Sequence, residues 1–152
     1  MTTKQDVAAA LKKFADEKAH KANERKNEFR RLQTELRDQF KTINRWVYNI
    51  EGLITEEIAA AERLSVDGEQ VLWSALMINF AGTSITLQPT LRFSQVHLVI
   101  QELDGEKETF LLRPNGDHFE VLDENGQKRL RDLTELDFLE EIISKTKSQV
   151  IQ

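Results

Sequence analysis

FRRLQTELRDQFKTINRWVYNIEGLI, residues 29–54, decides how this chain is built. With Phe29 as heptad position a, the a and d sites read Phe29, Leu32, Leu36, Gln39, Ile43, Trp46, Ile50 and Leu53, and seven of the eight are apolar. That spacing predicts a helix with one buried face. The e sites add Phe40, Val47 and Ile54, which makes the stripe wider than a two-stranded seam. A stripe of that width suits a bundle, or a helix packed on a sheet as well as on a second helix. Gln39, polar at a d site, is placed to fix the register of paired helices or to mark the margin of the interface.

Upstream the same register reads Ala8, Leu11, Ala15, Lys18, Ala22 and Arg25, a poor seam of small and charged residues. Val7, Leu11 and Phe14 form a short apolar patch near the start. No Pro or Gly occurs between residues 4 and 51, and Thr3 with Asp6 resembles a capping box with Asp in place of Glu. Unbroken, residues 4–51 would span about 72 Å, against a radius of gyration near ~13 Å for a body of roughly 100 residues. The expected outcome is pairing with another copy, most simply a dimer, through Phe29, Leu32, Leu36, Phe40, Ile43, Trp46, Val47 and Ile50.

Downstream, Gly52 interrupts the pattern, and Thr55-Glu56-Glu57 can restart a short helix reaching Ile58 and Leu64. From residue 69 to 131 the punctuation is that of an antiparallel meander of about five or six strands. Residues 71–80 are rich in apolar side chains, Thr83, Ile85 and Leu87 alternate with polar neighbours up to Pro89, and Asp104-Gly105, Asn115-Gly116 and Asn125-Gly126 mark hairpins. Thr134 with Asp137 starts a closing helix whose apolar face is Leu136, Leu139 and Ile143, with Phe138 and Ile142 beside them. Residues 148–152 read as a loose tail. The fold class is therefore α+β: a long N-terminal helix, coiled-coil-like in its second half, packed on a meander sheet and closed by a C-terminal helix. The organisation expected is a helical arm with a short second helix over residues 1–64, then a sheet domain with its helix over 65–152.

Composition narrows the function. The 152 residues hold no Cys, which removes disulfides, cysteine-ligated metals and thiol chemistry. The opening lacks an apolar signal core, and the most apolar run, 71–82, falls short of the ~20 residues of a membrane span, so a cytoplasmic chain without a membrane partner is expected. Residues 1–46 carry 12 basic and seven acidic side chains, the remainder nine basic and 19 acidic. A basic arm on an acidic body admits a negatively charged partner.

Catalytic signatures are thin. His20 lies in the polar arm, and His97 opens an apolar strand where a structural role fits best. His118 and Glu120 share a strand face at ligand spacing but lack a third ligand, so neither a metal nor a cofactor is expected. Glu56-Glu57, Asp123-Glu124 and Glu140-Glu141 are adjacent pairs whose side chains diverge on a helix, and the six glycines are too dispersed for a phosphate loop. Trp46 and Trp73 read as core and Tyr48 as exterior. The leading expectation is a non-enzymatic protein-interaction or adaptor module that self-associates through its long helix and presents the acidic sheet domain, or a groove beside helix 134–147, to a protein partner of unknown identity. The alternative is a nucleic-acid-associated factor contacting phosphates through Lys12, Lys13, Lys18, Lys21, Arg25, Lys26, Arg30 and Arg31. A ligand pocket between sheet and helix ranks third.

Overall fold

The computed structural model describes residues 2–151. Helix α1 (Lys4–Val47) runs for 44 residues without a break, about 66 Å at the α-helical rise. Its start is the expected capping box: the Asp6 amide donates to the Thr3 hydroxyl at 3.2 Å, and the Thr3 amide to the Asp6 carboxylate at 3.0 Å. Tyr48 leaves the helix with extended backbone and Asn49 turns at φ 59°.

Nine strands follow. β1 (Leu53–Ala59), β4 (Ser74–Phe80), β5 (Thr83–Arg92), β6 (Gln95–Leu103), β7 (Glu106–Asn115), β8 (His118–Leu122) and β9 (Arg129–Leu133) form one seven-stranded antiparallel sheet in the order β1-β4-β5-β6-β7-β8-β9. β2 (Leu64–Val66) and β3 (Glu69–Val71) make a separate hairpin. Helix α2 (Glu135–Ile151) closes the chain. The α+β layout holds, with seven strands in the main sheet where five or six were expected.

Four local expectations are corrected. Thr55-Glu56-Glu57 is strand rather than helix, because residues 53–59 pair along their whole length with β4, from Leu53 opposite Phe80 to Ala59 opposite Ser74. The run 71–80 is divided by Leu72 and Trp73, and the Trp73 indole donates to the Glu62 carbonyl at 2.8 Å. Strand β5 continues through Pro89, which sits opposite Leu98 of β6. Beyond Leu87 that strand pairs with no β4 residue, and Pro89 is buried there without a β4 ladder bond to lose. The tail expected over 148–152 is helix as far as Ile151, and Gln152 lies outside the described residues.

One core joins the layers. Leu32, Leu36, Phe40, Ile43, Trp46 and Val47 of α1 pack with the inward faces of β4 to β8, with Leu64 and Val66 of the hairpin, and with Phe138 of α2. This core draws on both sides of residue 64. At its end, the Trp46 ring meets Phe119 edge-on at 5.8 Å and Phe138 at 5.7 Å.

Gln39 is buried, and its side-chain amide donates to the Val96 carbonyl at 2.7 Å, while Glu35 accepts from the Val96 amide at 3.1 Å. The β6–β7 register, Leu98 opposite Leu112, would bring Pro114 opposite Val96, and proline has no N–H to give. Two side chains one turn apart on α1 therefore bond the backbone groups of Val96. Gln39 does fix a register, that of helix on sheet.

Candidate functional site

The apolar stripe assigned to self-association is covered by the chain's own sheet. Leu32, Leu36, Phe40, Ile43, Trp46 and Val47 are buried within the single chain, and Phe29 is partly buried against the same core. Ile50 is exposed, but it lies beyond the end of the helix. The heptad pattern recorded a buried face correctly; its partner is a β-sheet, whose flat apolar surface accepts a stripe wider than a coiled-coil seam.

The remainder of α1 outruns the sheet. Every residue from Thr2 to Glu24 is exposed, and the first anchors to the body are at Arg25, whose guanidinium meets Glu69 of the hairpin at 2.6 Å, and at Phe29. Val7, Leu11 and Phe14 are 51%, 63% and 65% exposed. At about 100° per residue they point the same way as Leu36 and Ile43. The face that packs on the sheet thus continues, uncovered, along this arm.

The eight basic residues read as nucleic-acid contacts do not share one face of the helix. Arg25 is held by Glu69, and Arg31 by Glu28, by Glu35 at 2.8 Å and by the Ser94 carbonyl at 3.0 Å. Lys12, Lys13, Lys18, Lys21, Lys26 and Arg30 are exposed, but helical geometry points Lys12 and Arg30 one way, Lys13 another and Lys18 with Lys21 a third. The positive charge encircles the helix instead of forming one strip. His20 faces Glu24 at 2.9 Å on the same arm.

Helix α2 is turned differently from the sequence reading. Phe138 is fully buried and Ile142 packs partly against the core, while Leu136 and Ile143 are 65% and 52% exposed. Leu136 and Ile143 therefore turn outward, with Leu139 half-buried between the two sides. Phe138 wins because it meets Trp46, a contact no local pattern contains.

The chemically interesting side chains are occupied structurally. Glu120 accepts from Arg113 and, at 3.2 Å, from Asn115, and the Arg113 guanidinium holds its carboxyl below the usual range. His118 faces Asp117 at 3.1 Å and Asp132 at 3.9 Å. Burial lowers the His97 pKa, and the ring lies 3.3 Å from the Gln95 carbonyl. Among the described residues no group of three His, Cys, Asp or Glu is placed to hold a metal ion, and no helix is long and apolar enough to cross a membrane. An open cleft of about 590 Å³ runs between α1 and the β7–β8 turn, lined by Asp38, Lys41, Thr42, Arg45, Tyr48 and Gly116 among others. Its charges are of both signs and converge on no single point.

Comparison with protein-family models, with curated proteins and with solved structures finds no match for this chain.

Proposed function

We propose that the chain is a protein-interaction module, not an enzyme, that self-associates through α1, with the contact moved from the covered stripe to the exposed arm of residues 4–24. The observation that carries this reading is the uncovered continuation of the packing face at Val7, Leu11 and Phe14. A lone helix of this length is marginal in water, since nucleation is costly and side-chain packing normally supplies most of the stability. Here a capped and continuous helix holds three large apolar side chains in solvent. Docking against another protein removes that apolar area from water.

Light scattering on the full-length chain across a concentration series tests it. The wild type should be a dimer or larger at high concentration, and L11K/F14K should be monomeric with an unchanged circular dichroism spectrum in the strand region. A wild type that stays monomeric throughout rejects the proposal. Nucleic-acid binding is the weaker reading, because the basic residues encircle the arm among Asp16, Glu17 and Glu24. Anisotropy titrations at low and moderate salt would rescue it only if affinity fell steeply with salt.

A further inference from the structure

We draw no further inference here: the strongest candidate, the open cleft between α1 and the β7–β8 turn beside the unpartnered side-chain oxygens of Gln39 and Asn44, carries nothing, because both oxygens are shut away from solvent and the charges of Asp38, Lys41 and Arg45 along it select no one ligand.

Discussion

Phe93 and Ser94 form the β5–β6 turn with φ of 52° and 61°, a left-handed pair without glycine. L-residues are strained there by about 1–2 kcal/mol each, but a two-residue loop with both φ positive matches the twist of the flanking strands, and Arg31 of α1 donates to the Ser94 carbonyl. Ser94→Gly should raise stability by about 1 kcal/mol, read as a higher denaturant midpoint at constant slope. Two buried groups set opposite pH dependences. His97 is shifted below 6.5 by burial, so its neutral form is favoured in the folded state; its contribution is present above the ordinary histidine pKa and is lost as pH falls through the lowered one. Burial pushes Glu141 up from 4.5 even though it accepts the Asp104 amide at 3.0 Å, so its contribution is present at acidic pH and lost as pH rises through the raised value. The wild-type-minus-variant stability should therefore fall with decreasing pH for H97Q and with increasing pH for E141Q, whatever each substitution does to the absolute level. A difference of constant size across the range would contradict either assignment. Gln39→Ala should cost about 1–3 kcal/mol, since it leaves the Val96 carbonyl without its α1 donor.

At the scale of elements, α1 is one continuous helix with two environments. Its second half is held by the sheet, and its first half by the capping box, intrinsic propensity and local pairs such as His20 with Glu24, without contact to the sheet. At a protein concentration low enough to keep the chain monomeric, Ala15→Pro should break the arm, lowering the helical signal at 222 nm, while the unfolding free energy of the sheet core stays within about 0.5 kcal/mol of wild type. A large fall in the midpoint would mean that the arm packs on the body after all. Sequence made much of this element legible: the absence of Gly and Pro, the Thr3–Asp6 box and the apolar period located the helix and its buried face. What covers the face was not legible, because a stripe states how wide its partner is and not whether that partner is a helix or a sheet. Helix α2 shows the same limit. Leu136, Leu139 and Ile143 are as apolar as Phe138 and Ile142, and only the Trp46 ring decides which set turns inward.

For the whole molecule, α1 carries the exposed apolar residues Val7, Leu11 and Phe14 past the edge of the body. If copies associate through their arms, as proposed, the thermal midpoint should climb with protein concentration in the wild type and be flat in L11K/F14K, because association adds stability by mass action. Sequence by itself determined the α+β class, the long capped helix, the hairpin positions from Asp104-Gly105 onward, and the separation of a basic arm from an acidic body. These follow from periodicity, turn chemistry and charge, which are local. Only tertiary structure decided that residues 53–59 pair as a strand, that Gln39 and Glu35 bond the backbone of Val96 where the register would bring Pro114, and that the widest apolar stripe belongs to the core while the small patch at Val7, Leu11 and Phe14 stays in solvent. Each depends on which surfaces meet across long stretches of chain, and burial is a property of that meeting rather than of the residues alone.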